Sequence, residues 1–173
     1  SIDLNFLEEE DKKLREEVAL ALELEQMNSN LSSDIGTDGF VFPVATIKLE
    51  LSTPIDGVLV KEFSLKDEHF GIDIAGDKDE PIRSIYDGTV ILSEWNPKTG
   101  YVIVIQHPNN LISFYKHNSL LLKKIGTFVK KGEAIAIIGS SGEYSSGPHL
   151  HLEIWQNGKV QDPIKYIELD KLN

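Results

Sequence analysis

Apolar positions follow two different periods along this chain. Residues 4–27 lack glycine and proline, are rich in Glu, Leu, Lys and Ala, and set Leu4, Leu7, Leu14, Val18 and Ala21 on a rough heptad stripe that Asp11 interrupts. Glu8 with Lys12 and Glu9 with Lys13 stand four apart, the spacing at which opposite charges support a helix by a few tenths of a kcal/mol. The pattern predicts an α-helix there. Its functional reading is a coiled-coil stalk, or a helix that binds a partner or a second copy; equally, it simply packs on the domain that follows. Asn28 to Gly39, rich in Asn, Ser, Asp and Gly, ends it as a loop.

From Phe40 onward the period shortens to that of strands. Val41 to Leu51 mixes alternating and consecutive apolar residues, and Pro54-Ile55-Asp56-Gly57 reads as a turn before Val58-Leu59-Val60. Ile82 to Tyr86 and Thr89 to Trp95 flank Asp87-Gly88, a dipeptide that favours a type I′ hairpin turn. Pro97-Lys98-Thr99-Gly100 leads into Tyr101 to Ile105, apolar on both faces and therefore expected at the centre of a sheet. Pro108-Asn109-Asn110 turns the chain back into Leu111 to His117. Counting by twos from His117 puts Tyr115 and Ser113 on its face and Phe114 and Ile112 on the other. Two more runs, Glu133 to Ile138 and His149 to Trp155, bracket a Gly- and Ser-rich stretch from Gly139 to Pro148. The expected fold class is mainly β: an antiparallel sheet domain over residues 54–173, preceded by a helical leader and linker over residues 1–53.

Composition fits that picture and narrows the chemistry. With 173 residues, 40% hydrophobic and 26% charged, the chain is long enough to bury a core and suits one domain of ordinary size plus an appendage. A formal net charge of -11 argues against nucleic acid as a partner, since phosphate binding needs clustered Lys and Arg. The pairs Lys123-Lys124 and Lys130-Lys131 are explained by solvated loops. Zero cysteines exclude a disulfide scaffold and a thiolate nucleophile. No apolar run is long enough to span a bilayer. The chain starts at Ser1 without an export signal, which leads to the expectation of a processed chain or fragment with any membrane anchor upstream.

Four of the five histidines stand in a metal-site pattern: His69-Phe-Gly-Ile-Asp73, His117, and His149-Leu-His151. Alternation across residues 149–155 places His149, His151, Glu153 and Trp155 on one strand face and Leu150, Leu152 and Ile154 on the other. Two imidazoles thus project side by side, and a borderline-soft divalent cation needs such donors converging at about 2.0–2.1 Å. An extended chain would hold His69 and Asp73 roughly 13 Å apart. The backbone must bend between them, and Gly71 can supply the bend. One carboxylate with two imidazoles is a catalytic ligand set, because three protein donors leave a fourth position open to water. Strand alternation does not decide which of His149 and His151 is the ligand. His107, followed by Pro108-Asn109-Asn110, reads as an ordinary histidine at a turn. The stretch before His149 reads as a flexible wall of a substrate groove.

Taken together, His69-x-x-x-Asp73, Asp87-Gly-Thr-Val, Gly100-Tyr-Val-Ile-Val-Ile-Gln-His107, Tyr115-Lys-His117, Val129-Lys-Lys-Gly132-Glu and Gly147-Pro-His-Leu-His-Leu-Glu153 resemble the LytM/lysostaphin-type zinc endopeptidases that cut peptidoglycan peptides. The resemblance runs from about Gly57 to Ile167, roughly two-thirds of the chain. It implies Zn2+ held by His69, Asp73 and His151, with His117 and His149 as the catalytic histidines, one serving as base and the other as oxyanion donor. Glu153 is a candidate acceptor for the outer nitrogen of a zinc histidine, or else an exposed strand carboxylate. The chain departs from some relatives in having Phe63, not tyrosine, six residues before the first ligand. The resemblance also implies peptidoglycan stem peptides or crosslinks as substrate, with D-Ala-to-diaminopimelate bonds first and glycine bridges second. It implies an envelope location outside the cytoplasmic membrane, with the leader shielding the groove or spacing the enzyme.

Two other readings compete. Relatives that have lost ligands act as activators of other cell-wall hydrolases, whereas this chain keeps every ligand and both catalytic positions. The paired elements around Asp87-Gly-Thr-Val and Val129-Lys-Lys-Gly-Glu also resemble biotinyl/lipoyl-like hairpins of a carrier or adaptor module. Such carriers present a modifiable lysine at a hairpin tip, and Asp87-Gly88 has none.

Overall fold

Alternating apolar residues from several short strands close over one core, in a computed structural model that describes residues 12–14, 16–18, 20, 48–139 and 147–171. The chain divides into two compact units, residues 1–48 and 49–173. In the first, the described residues 12–14, 16–18 and 20 are α-helical. Leu14 and Val18, four apart, are buried, and Lys12 pairs with Glu16 at 3.9 Å on the exposed side. The remainder of the helix expected over 4–27, the loop over 28–39 and residues 40–47 lie outside the described residues.

The second unit is an antiparallel β domain. Its strands are β1 (Val58–Lys61), β2 (Ile72–Ala75), β3 (Pro81–Arg83), β4 (Gly88–Asn96), β5 (Gly100–His107), β6 (Leu111–Leu121), β7 (Phe128–Val129), β8 (Ala134–Ile138), β9 (His149–Gln156), β10 (Lys159–Gln161) and β11 (Asp170–Lys171). Pairing runs β11-β1-β2-β9-β6-β5-β4-β7, with β10 on β9 and β8 joining β3 to β6. Among the described residues, only β1 with β11 is parallel. No helix among them is long and apolar enough to cross a membrane.

Period-two patterning decides which way each strand faces. Ile72 and Ile74 of β2, Leu150, Leu152 and Ile154 of β9, Ile103 and Ile105 of β5, and Ile135 and Ile138 of β8 meet in one buried cluster. Each such aliphatic side chain contributes about 1.5–3 kcal/mol on burial. The intervening positions of β2 and β9 place Asp73, His149, His151 and Glu153 on the opposite face. Their rigidity comes from the core beneath them.

Two turns show what asparagine and glycine do here. Asn109 and Asn110, which connect β5 to β6, both take left-handed angles (φ 63° and 54°), and the Leu111 N–H donates to the Pro108 carbonyl at 3.4 Å. That is the backbone of a type I′ turn, which asparagine tolerates. The hairpin expected at Asp87-Gly88 does not form. β3 pairs with β8, β4 pairs with β5 and β7, and neither Asp87 nor Gly88 has the positive φ that such a turn requires. Gly88 serves close approach instead, since a Cβ there would stand 2.3 Å from the Gln106 carbonyl oxygen. Asp87 is tied on both sides: its carboxylate accepts the Lys131 N–H at 2.7 Å and its carbonyl accepts from the His107 ring at 2.8 Å.

Candidate functional site

β2 and β9 are hydrogen-bonded neighbours in a register that sets Asp73 opposite His151 and Ala75 opposite His149. Residues paired across a sheet share a face, so Asp73 and His151 meet on the side away from the core. The separation of His151 Nδ1 from Asp73 Oδ1 is 2.7 Å. His69 arrives from just before β2, where it closes a two-residue bridge with Ser64 through reciprocal backbone bonds of 2.9 Å. The tight return is made by Glu68 in a left-handed conformation (φ 54°).

Gly71, expected to provide the bend, plays another part. Its φ is not positive, and a Cβ there would lie 2.4 Å from the Leu152 carbonyl oxygen and 2.9 Å from His151 Nε2. Glycine is therefore needed so that the His69–Asp73 segment can lie against β9.

The donor set fits a metal ion. His69 Nδ1 lies 2.7 Å from the Glu62 carbonyl oxygen, which only an N–H can satisfy, so the neutral ring presents a lone pair at Nε2. That Nε2 is buried, has no hydrogen-bond partner, and stands 3.3 Å from Asp73 Oδ1. Two acceptors facing each other in a buried place call for a cation between them. One ligand atom each from His69, Asp73 and His151 lie within 4.8 Å of one another. The Glu62 carbonyl is the kind of outer partner that fixes a metal-binding tautomer.

His117 reaches the same cluster by a route that counting by twos misses. Opposite β5, Tyr101 pairs with Asn118 and Ile103 with Tyr115, so β6 carries one extra residue at Lys116-His117. His117 sits in that bulge with a left-handed φ of 66°, and its N–H donates to the Thr99 carbonyl at 2.7 Å. The bulge reverses the alternation. Tyr115 is in the core, whereas His117 is on the other side with its ring centroid 5.0 Å from that of His149 and 5.9 Å from that of His151. Phe114, expected opposite His117, shares its side and packs on Trp155 at 5.4 Å.

Electrostatics separate the roles of these groups. Burial raises the Asp73 pKa, but interactions led by the hydrogen bond from His151 outweigh it and hold the carboxylate well below its ordinary range. Burial first, then the neighbouring His151 and His149, push His117 down to about 4. His149 Nδ1 lies 3.1 Å from the Gly147 carbonyl oxygen, leaving Nε2 as its acceptor.

Other expectations are met differently. Glu153 is not an exposed carboxylate: it is fully buried, 2.7 Å from Lys116 Nζ, and its Oε2 is 3.9 Å from His151 Nε2. Lys116 is absent from the sequence-based set, and only the β6–β9 register, which sets it opposite His151, brings it in. Phe63 packs against the core, so that segment brings an apolar ring where some relatives have a phenol. His107 is a buried structural group between the Asp87 carbonyl and Ser113 Oγ (2.8 and 2.6 Å). Of the Gly139–Pro148 stretch expected to wall a groove, residues 140–146 lie outside the described residues.

Comparison with known proteins places this geometry. Residues 67–163 match Peptidase family M23. The murein hydrolase activator NlpD of Salmonella dublin is 37% identical over 117 residues, covering 66% of this chain and 30% of the relative. The chain thus spans under a third of that protein's length. Among solved structures, a putative peptidase M23 from Pseudomonas aeruginosa has a TM-score of 0.62 and 28% identity over 84% of this chain and 60% of its own. The antimicrobial peptidase lysostaphin from Staphylococcus simulans has a TM-score of 0.57 and 27% identity over 64% of this chain and 49% of its own. Matched over more than half its length, this chain belongs to Peptidase family M23.

Proposed function

We propose that this chain is a zinc-dependent endopeptidase that hydrolyses peptide crosslinks of bacterial peptidoglycan, with residues 54–173 as the catalytic domain. The observation that carries the reading is the convergence of five side chains on one face: His69, Asp73 and His151 as ligands, with the His117 and His149 rings 5.0 Å apart beside them. Zinc held there would supply Lewis acidity toward a scissile carbonyl and toward water.

The remaining work falls to the two histidines. His149 Nδ1 is occupied by the Gly147 carbonyl, so its Nε2 lone pair is positioned to take the proton of the attacking water. His117, held neutral around pH 7 by burial and its imidazole neighbours, offers an N–H to the oxyanion without adding a charge beside the metal ligands. The proton taken by His149 is then available for the leaving amine. D-Ala-to-diaminopimelate bonds are the first substrate to test and glycine bridges the second. The proposed place of action is the cell envelope outside the cytoplasmic membrane, with residues 1–53 spacing or shielding the groove.

A relative named as a murein hydrolase activator supports a second reading, in which the chain stimulates other cell-wall hydrolases without cutting. Zinc content and digestion of purified peptidoglycan, read by mass spectrometry of released muropeptides, separate the two. Bound zinc with cleaved peptide crosslinks supports the enzyme; neither metal nor released muropeptides supports the activator.

A further inference from the structure

Two buried charges meet beside the proposed ligands. Lys116 and Glu153 have side chains 3% and 0% exposed and pair at 2.7 Å. Withdrawing both from water costs several kcal/mol per ion, and apolar residues of similar volume commonly give equal or greater stability. Stability alone is therefore a poor reason for this pair. Its location suggests another, because Lys116 stands opposite His151 in the β6–β9 ladder and Glu153 follows His151 by two on the same strand face.

His151 is bracketed by carboxylates on both ring nitrogens. Nδ1 is 2.7 Å from Asp73 Oδ1 and Nε2 is 3.9 Å from Glu153 Oε2, while Gly71 leaves room at the Nε2 edge. In this arrangement the ring N–H at Nδ1 donates to Asp73. A metal ion shared by Asp73 and His151 needs the Nδ1 lone pair, so in the ligating tautomer the ring proton resides at Nε2. We propose that the Lys116–Glu153 pair is a positioning device for zinc binding: Lys116 fixes the Glu153 carboxylate so that it accepts the Nε2–H of His151 and selects the ligating tautomer. The N–H bond at Nδ1 breaks and one forms at Nε2 through exchange with water, leaving the ring's charge unchanged. A small tilt of the ring shortens the 3.9 Å separation to a hydrogen bond. This inference rests on the reading that His69, Asp73 and His151 hold zinc.

The test uses the full chain and zinc alone as ligand. Zinc affinity is measured by competition with a chromogenic chelator for the parent, for Glu153→Gln and for the double variant Lys116→Met with Glu153→Met; each is also melted in the presence of excess chelator. The expected result is a double variant that melts at or above the parent yet binds zinc about 10–100-fold more weakly, the usual cost of losing an outer partner of a metal histidine. Zinc binding as tight as the parent's overturns the proposal. A measurement on the unaltered protein covers variants that fail to fold: nitrogen-edited NMR of the zinc-loaded parent should show a His151 Nε2–H that exchanges slowly with water. An unprotonated or freely exchanging Nε2 overturns the proposal as well. A parent that takes up no zinc defeats the underlying enzyme reading, and this inference with it, a result distinct from tight binding by the variant.

Discussion

The carbonyl oxygen of His117 lies where a side chain at Gly139 would begin, 2.4 Å from the position of a Cβ on that residue. Gly139 also forms the bridge to His149 and accepts its N–H at 3.3 Å. One glycine backbone thus sets the spacing between the two proposed catalytic histidines. Gly139→Ala should push β6 away and cost about 1–3 kcal/mol of stability. Hydrolysis should fall by about 100-fold, since a displacement near 1 Å is enough for that, while zinc content stays at the parent level. Steady-state kinetics with elemental analysis checks both halves.

Asp73 holds the cluster together, approached by His151 at 2.7 Å and His69 at 3.3 Å. Asp73→Asn keeps the shape and removes the charge that the ion requires. Zinc affinity should fall sharply with little change in circular dichroism, because Ile72 and Ile74 beside it remain in the core. Chelation of the parent should abolish hydrolysis, and added zinc should restore it.

Separate substitutions of His149 and His117 by alanine should leave zinc bound but lower kcat by 100- to 10,000-fold, the range for loss of a general acid or base. Loss of zinc in either variant would instead make that residue a ligand.

His107 gives a pH dependence of stability. Burial pushes it down to about 4 from an ordinary 6.5, against the pull of the Asp87 carbonyl. The unfolded chain therefore binds a proton that the folded chain refuses between these values, so stability is full above pH 6.5 and is lost as pH falls toward 4. The loss amounts to about 3 kcal/mol. His117, also lowered to about 4, adds a parallel loss. Denaturant midpoints measured with chelator present should fall steeply across this window in the parent and less steeply in His107→Gln.

Much of the site was legible because alternation is a local property. The apolar Leu150, Leu152 and Ile154 fix the face of His149 and His151 without knowledge of any other strand. The Asn109-Asn110 turn was legible for the same reason, since left-handed angles there are an intrinsic tolerance of asparagine. What escaped depends on pairing. His117 changes face through a bulge visible only against β5, Asp87-Gly88 mimics a hairpin whose strands pair elsewhere, and Lys116 becomes a site residue only through its register with β9. Gly71 was rightly singled out as special, but its reason lies in the neighbouring strand and not in its own angles.

Anomalous diffraction at the zinc edge, from crystals grown with stoichiometric zinc, tests the central claim most directly. The account predicts one strong peak per chain, about 2.0–2.2 Å from His69 Nε2, Asp73 Oδ1 and His151 Nδ1. A peak held by other residues, or none at this cluster, would contradict it.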